Sequence, residues 1–176
     1  SGDLAPAFLL YGGEIDLAGP NGTRTVALRD FYIGHAKQDG STGDGRKYLA
    51  IRPGEIVLRA RAKNVPGLVS AYDKIRIRKS IEYPVAGVAA ALVRKGGTLA
   101  DLRVAFTGTN PRPVLLEGTA ALCGKPLGDA SLAALDDLCR DQIMSMKTTF
   151  TPGTYRRRVA TVMAKRLVKR LWDAAG

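Results

Sequence analysis

The clearest pattern in the chain is an alternation of apolar and charged positions that ends near residue 79. A period of two is typical of a half-buried β-strand and predicts one over Leu68–Lys79. One face of this strand carries Ala71, Asp73, Ile75, Ile77 and Lys79. The other face carries Ser70, Tyr72, Lys74, Arg76 and Arg78. A row of cations on one side of a sheet either lies in water or meets an anionic group.

Two further strands are predicted directly after Pro84. Val85–Arg94 is small and apolar, and the residues Lys95-Gly96-Gly97-Thr98 have the composition of a hairpin connection. Leu99–Thr107 alternates again, with Leu102, Val104 and Phe106 on one face. The three strands are expected to form one antiparallel sheet.

Three helices are predicted in the last third of the chain. Arg112–Gly124 is expected to place Val114 and Leu115 inward. Asp129 is expected to cap Ala130–Ile143, in which Leu132, Leu135, Leu138 and Cys139 recur at helical spacing. The last helix is predicted over Tyr155–Ala174, with an apolar stripe of Val159, Val162, Met163, Leu167, Leu171 and Trp172. Strands followed by helices indicate an α+β fold, an antiparallel sheet with three C-terminal helices.

The first third of the chain predicts shorter elements. A short helix begins after Asp3, the predicted N-cap, and carries Pro6 in its first turn. Glu14–Leu17 and Thr23–Ala27 are predicted strands, since Asn21-Gly22 is a hairpin signal. A helical turn over Leu28–Ile33, anchored by Phe31 and Ile33, precedes a glycine-rich loop from Gly34 to Arg46. A further strand is predicted over Ile56–Ala62.

The charge of the chain raises nucleic acid as a partner, because the formal net charge is +11 at pH 7. Much of it lies in the last segment, whose seven basic residues and one acidic residue give +6. This helix lacks aromatic residues interleaved for base stacking. Its basic side is therefore interpreted as solvated or facing a subunit. No apolar run reaches the length of a membrane span. The chain does not begin with Met and is expected to be a fragment, a processed product or a partly ordered subunit.

Candidate chemistry in the sequence is sparse. His35 is the only histidine and sits in the glycine-rich loop, so a Ser–His–Asp or Cys–His arrangement is not expected. Cys123 and Cys139 are interpreted as buried thiols of a reducing compartment rather than metal ligands, with a disulfide as the alternative. No glycine-rich phosphate motif follows a strand, so a nucleotide site complete within this chain is not expected. Lys74 has two readings, an exposed strand lysine or a fixed cation beside an anionic or electron-rich ligand.

Seven strings of the sequence resemble one family in the same order along the chain. They are residues 2–7 (GDLAPA), 25–32 (TVALRDFY), 52–57 (RPGEIV), 71–92 (AYDKIRIRKSIEYPVAGVAAAL), 105–114 (AFTGTNPRPV), 122–127 (LCGKPL) and 155–166 (YRRRVATVMAKR). They resemble the flavin-binding subunits of molybdenum hydroxylases, the group that includes carbon monoxide dehydrogenase and xanthine dehydrogenase. Ser1-Gly2-Asp3 and the string beginning at Asp44 look most like the flavoprotein of 4-hydroxybenzoyl-CoA reductase.

The resemblance implies a fold like the carbon monoxide dehydrogenase flavoprotein C-terminal domain over residues 63–176, preceded at 1–62 by the tail of an FAD-binding domain. It implies that Asp3, Val57 and Lys74 contact FAD, shared with sequence upstream of Ser1. Asp3 would meet the ribityl or phosphate-linker region, Val57 would pack on the isoalloxazine, and Lys74 would lie near the polar edge of the ring. Gly2 replaces the family's usual serine.

The resemblance also implies partners and a location. The partners are a molybdopterin-binding subunit, a [2Fe-2S] subunit and an external electron donor or acceptor, in a cytoplasmic complex. No residue of this chain is expected to act on the organic substrate, and the isolated chain is expected to be inactive. The alternative reading is a small basic module that binds RNA or an acidic protein through its last helix.

Overall fold

The structure, a computed structural model, describes residues 2–34, 48–78, 81–144 and 151–175. In chain order its elements are α1 (Leu4–Leu10), β1 (Glu14–Gly19), β2 (Gly22–Ala27), α2 (Leu28–Phe31), β3 (Ile56–Arg61), β4 (Val69–Ile75), β5 (Ala86–Lys95), β6 (Thr98–Thr107), β7 (Val114–Leu115), a 3₁₀ turn (Thr119–Leu122), α3 (Asp129–Gln142) and α4 (Gly153–Ala174).

The strands form two antiparallel sheets, with orders β2-β1-β3 and β4-β5-β6-β7. The predicted sheet of three strands is therefore confirmed, as are the first hairpin and the strand at Ile56. β4 is shorter than predicted and ends at Ile75. Beyond it the backbone N–H of Arg78 donates to a side chain, the carboxylate of Glu82.

The second sheet is covered on both faces. On one face of β5, Val88, Ala90 and Leu92 join α3 and α4 in one apolar core. On the other face, Ala89 and Ala91 join residues of α1 and β1 in a second core. A strand buried on both faces reads as a continuous apolar run, which explains why residues 85–93 show no alternation.

The two long helices α3 and α4 are confirmed, but the stripe of α4 is displaced from the predicted one. Leu167 and Leu171 are buried as expected, whereas Val159, Val162, Met163 and Trp172 are only partly buried. The centre of the buried stripe is made by Ala160, Ala164 and Val168. Small residues at this interface allow α4 to lie close to β5.

The predicted helix over Arg112–Gly124 is wrong. This segment forms β7, which pairs with β6, and then one 3₁₀ turn. Pro113 has no N–H for a helix and disfavours the helical conformation at Arg112. Gly118 then takes a φ of +84°, which ends any continuous helix. The α+β class is confirmed, with two long helices and a short turn in place of three helices.

Three smaller expectations also fail. Ile33 is 41% exposed and does not anchor the turn at Leu28, whereas Phe31 is buried. Asp129 is the first residue of α3, and no side chain caps this helix. Cys139 is buried as expected, but Cys123 is only partly buried, and both are free thiols. His35, Lys79 and most of the segment Gly34–Arg46 lie outside the described residues.

Candidate functional site

The face of β4 that carries Lys74 points toward α1. Lys74 pairs with Gly87 of β5, and Gly87 pairs with Thr107 of β6, so these three residues form a row across the sheet. Tyr72 lies two residues before Lys74 and therefore projects from the same face. The ends of β4 and β6 thus meet around a position that has no side chain.

Asp3, in the N-terminal segment, binds two residues of β4, one in this row and one beside it. Its Oδ2 accepts a hydrogen bond from Lys74 Nζ at 2.6 Å, and its Oδ1 accepts one from the Tyr72 hydroxyl at 2.8 Å. Asp3 occupies the N-cap position of α1 as predicted, but its side chain makes no cap hydrogen bond. The carboxylate instead binds two residues that lie about 70 positions away from Asp3 in the chain.

Gly2 also binds to the row. Its backbone N–H donates to Thr107 Oγ1 at 3.2 Å. A Cβ atom at Gly87 would lie less than 3.0 Å from the Tyr72 hydroxyl oxygen and 2.7 Å from Thr107 Cγ2. Only glycine at position 87 therefore leaves room for the phenol and for the Thr107 methyl group side by side.

Lys74 has a second partner in the loop that follows β4. Nζ donates to the carbonyl oxygen of Glu82 at 3.3 Å. The Glu82 carboxylate accepts hydrogen bonds from the backbone N–H and from Nε of Arg78, at 2.9 and 3.1 Å, which ties Glu82 to Arg78. An ammonium has three N–H donors, so two are used here and one remains for a ligand.

The charges of this cluster are stabilised by the same contacts. Burial on its own would raise the pKa of Asp3, but hydrogen bonds from Lys74 and Tyr72 and the charge of Arg76 lower it. Burial, and after it the hydrogen bond to Asp3, raises the pKa of Tyr72. The tyrosine therefore keeps its proton and remains a donor, while the aspartate remains an anion.

Val57 lies on β3, the edge strand of the other sheet. It is 48% exposed and is flanked by Ile56 and Leu58, which are also exposed. Side chains of a strand alternate between its two faces, so Val57 projects from the face opposite to Ile56. At the edge of the sheet Val57 is open to an apolar ligand. The structure brings Asp3 and Lys74 together in one cluster, whereas Val57 lies in the other sheet.

Other regions of the described chain offer less chemistry. A surface groove of about 620 Å³ lies between α2, the end of α3 and residues 110–117, and it contains none of the three predicted residues. No group of three or more His, Cys, Asp or Glu side chains that could hold a metal ion occurs within the described ranges. In the same ranges, no helix is long and apolar enough to cross a membrane.

The sequence did not single out Tyr72, Gly87, Thr107 or Glu82 as site residues. Tyr72 was visible in the string around Lys74, and its place on the cationic face was the available signal. Gly87 was hidden in an apolar run, because nothing local marks a glycine that makes room for a neighbouring strand.

Comparison with known proteins agrees with this architecture. Residues 70–171 match the model of the CO dehydrogenase flavoprotein C-terminal domain. The carbon monoxide dehydrogenase medium chain of Afipia carboxidovorans is 30% identical, over 96% of this chain and 55% of that protein. The xanthine dehydrogenase FAD-binding subunit of Escherichia coli O157:H7 is 22% identical, over 100% of this chain and 58% of that protein.

A solved structure is similar over the same span. The crystal structure of the cyanide-inactivated Cu,Mo-CO dehydrogenase superposes with a TM-score of 0.83 at 28% identity, over 99% of this chain and 57% of that one. The chain thus spans little more than half the length of the relatives it matches. With the domain model matched from β4 to the last turn of α4, the chain belongs to the CO dehydrogenase flavoprotein C-terminal domain family.

Proposed function

We propose that this chain is part of the FAD-binding subunit of a molybdenum hydroxylase-type oxidoreductase, and that Lys74 lies at the edge of the flavin. The observation that carries the proposal is the fixed ammonium of Lys74. It is held by Asp3 at 2.6 Å and by the Glu82 carbonyl at 3.3 Å, with one N–H donor left over. When bound, FAD would relay electrons between iron–sulfur clusters and an external donor or acceptor.

The residues present fit one edge of a flavin. A positioned cation suits the polar edge of an isoalloxazine, and exposed Val57 suits its apolar face. Asp3 uses one lone pair on each oxygen and can still accept a hydrogen bond from a ribityl hydroxyl. The sequence contains no glycine-rich phosphate loop, so the rest of the site must come from outside these residues.

Each of these residues has a defined part in this proposal. The Lys74 ammonium stabilises negative charge on a ligand atom at its remaining N–H, because a preorganised cation in a partly desolvated site requires no reorganisation. Asp3 keeps the ammonium in place and offsets part of its charge. Val57 excludes water from one face of the ligand. No residue of the chain acts on the organic substrate, which would react at molybdenum in another subunit.

The finer assignments belong to the same proposal. We place the tail of the FAD-binding domain at 1–62 and the C-terminal domain at 63–176. A molybdopterin-binding subunit and a [2Fe-2S] subunit would be the partners, in a cytoplasmic enzyme. The strings at Ser1 and Asp44 favour an enzyme like 4-hydroxybenzoyl-CoA reductase.

The test is the midpoint potential of the flavin in the full native subunit carrying Lys74→Met. A unit charge about 4 Å from the ring interacts by about 1–4 kcal/mol, depending on how wet the site is. For one electron this is about 40–170 mV, at about 59 mV per tenfold change, and the potential should fall. Because Asp3 offsets part of the charge, we expect the lower half of this range.

Lys169→Met is the matched control, because Lys169 also pairs with a carboxylate, at 2.8 Å, but lies on the exposed side of α4. Its potential should equal that of the wild type. A native subunit without bound flavin, or an unchanged potential in a fully loaded Lys74→Met subunit, would contradict the assignment of Lys74.

A further inference from the structure

We propose that Tyr72 is a positioning residue for the flavin edge: its hydroxyl, admitted by the missing side chain at Gly87, holds Asp3 so that Asp3 holds Lys74. This inference rests on the proposed function of Lys74. It gives a role to two residues, Tyr72 and Gly87, that are not among the predicted contacts with FAD.

The first step is that the two oxygens of the Asp3 carboxylate bind different donors. One oxygen accepts from Tyr72 at 2.8 Å and the other accepts from Lys74 at 2.6 Å. A carboxylate bound through only one oxygen can rotate about its χ2 angle and carry the mobile ammonium with it. With both oxygens bound, its plane is fixed relative to β4.

The second step is the origin of the two donors. Tyr72 and Lys74 stand two residues apart on one face of β4, so one strand places both. Asp3 is brought to them by the N-terminal segment, where Gly2 N–H binds Thr107 Oγ1. β4 therefore supplies both donors to the carboxylate, and β6 holds the segment that carries Asp3.

The third step is the room for the phenol. Lys74, Gly87 and Thr107 are register partners, so a side chain at position 87 would stand between the other two. A Cβ atom there would come within 3.0 Å of the Tyr72 hydroxyl oxygen. Gly87 has no positive φ, so its backbone conformation does not require glycine and the space for Tyr72 does.

Tyr72→Phe removes one oxygen atom and keeps the ring. Tyr11→Phe is the matched control, because the Tyr11 hydroxyl bonds to Ser70 Oγ at 2.7 Å on the same strand without touching Asp3. In the chain without flavin, the pKa of Asp3 is followed by NMR of its carboxyl carbon. It should rise in Tyr72→Phe, which has lost a donor to the anion, and stay unchanged in Tyr11→Phe.

In the flavin-loaded native subunit, Tyr72→Phe should lower the midpoint potential of the flavin. The change should correspond to a preference for reduced over oxidised flavin that is about 2- to 10-fold smaller. This is the effect of one lost hydrogen bond. The change should have the same sign as that in Lys74→Met and be smaller. Gly87→Ala should act in the same way, whereas Gly128→Ala, at a glycine with open space around it, should not.

The outcomes separate this inference from the proposed function. An unchanged Asp3 pKa in Tyr72→Phe overturns the inference and leaves the role of Lys74 intact. A raised Asp3 pKa with a flavin potential that responds to Lys74→Met but not to Tyr72→Phe also overturns it. A flavin midpoint potential that is unchanged in Lys74→Met overturns the proposed function and the inference with it.

Discussion

Arg156 offers the sharpest test of how α4 is attached to the sheet. Its side chain is buried, with the residue only 7% exposed, and Nη1 donates to the carbonyl oxygens of Val85 and Gly108, both at 2.7 Å. These carbonyls lie just before the start of β5 and just after the end of β6. The guanidinium therefore joins the first turn of α4 to the end of the sheet that carries Gly87 and Thr107.

Arg156→Met keeps most of the apolar stem and removes both hydrogen bonds. A hydrogen bond from a charged donor contributes about 1.5–3 kcal/mol, and the orphaned carbonyls would be costly to leave buried. Because both bonds come from one nitrogen, their contributions do not simply add. We expect the free energy of unfolding to fall by about 3 kcal/mol.

The assay is urea denaturation followed by circular dichroism. With a slope of about 2 kcal/mol per molar urea, the midpoint should fall by about 1.5 M. Arg158→Met is the matched control, because Arg158 is exposed on the same helix and its loss should change stability by less than about 0.5 kcal/mol. If both variants unfold at the same urea concentration, the buried contact of Arg156 does not stabilise the domain.

Three further predictions concern stability and partners. Hydrogen bonds from Arg59 and Thr25 hold the pKa of Asp16 at about 2, below its ordinary 3.8, so the stability that the Asp16 carboxylate contributes is complete above pH 3.8 and is lost as pH falls toward 2. The melting temperature of Asp16→Asn should depend less on pH in this window than that of the wild type, and equal slopes would refute this prediction. Leu135→Ala, at a fully buried position of α3, should destabilise by about 2–5 kcal/mol in the same urea assay, and a loss below about 1 kcal/mol would mean that the site collapses around the cavity. Finally, α4 should not bind duplex DNA or RNA sequence-specifically at near-physiological salt, because Lys165, Lys169 and Arg170 pair with acidic residues of the chain; tight, sequence-dependent binding would instead favour the basic-module reading.

The sequence was a good guide wherever a local pattern determines a local structure. The alternation before residue 79 placed Tyr72 and Lys74 on one face of β4, and the glycine pair at 96–97 placed the β5–β6 hairpin. Helical spacing located α3 and α4 to within a few residues. These features depend on neighbours along the chain, so they can be read without knowing what packs against them.

Local patterns failed where a residue's partner is remote in sequence. Aspartate is a residue type favoured at helix N-caps, and Asp3 occupies that position. Its carboxylate nevertheless accepts hydrogen bonds from Tyr72 and Lys74, because these two donors on β4 compete with the helix N–H groups. The segment after Arg112 has apolar residues at helical spacing, yet it pairs with β6 as β7. In that segment the prolines remove or disfavour helical hydrogen bonds, and the edge of the sheet supplies others.

What the sequence by itself determined is the class of fold, the cationic face of β4 and the resemblance to flavin-binding subunits. Only the tertiary structure decided which charges are buried and which are paired. Arg156 stands beside Arg157 and Arg158 in one basic run, and no property of that run distinguishes it. It is buried because the helix phase turns it toward two backbone carbonyls that lie about 50 and 70 residues away in the chain. The Asp3–Tyr72–Lys74 cluster exists for the same reason, since its geometry is set by the packing of α1 on a sheet formed much later in the sequence.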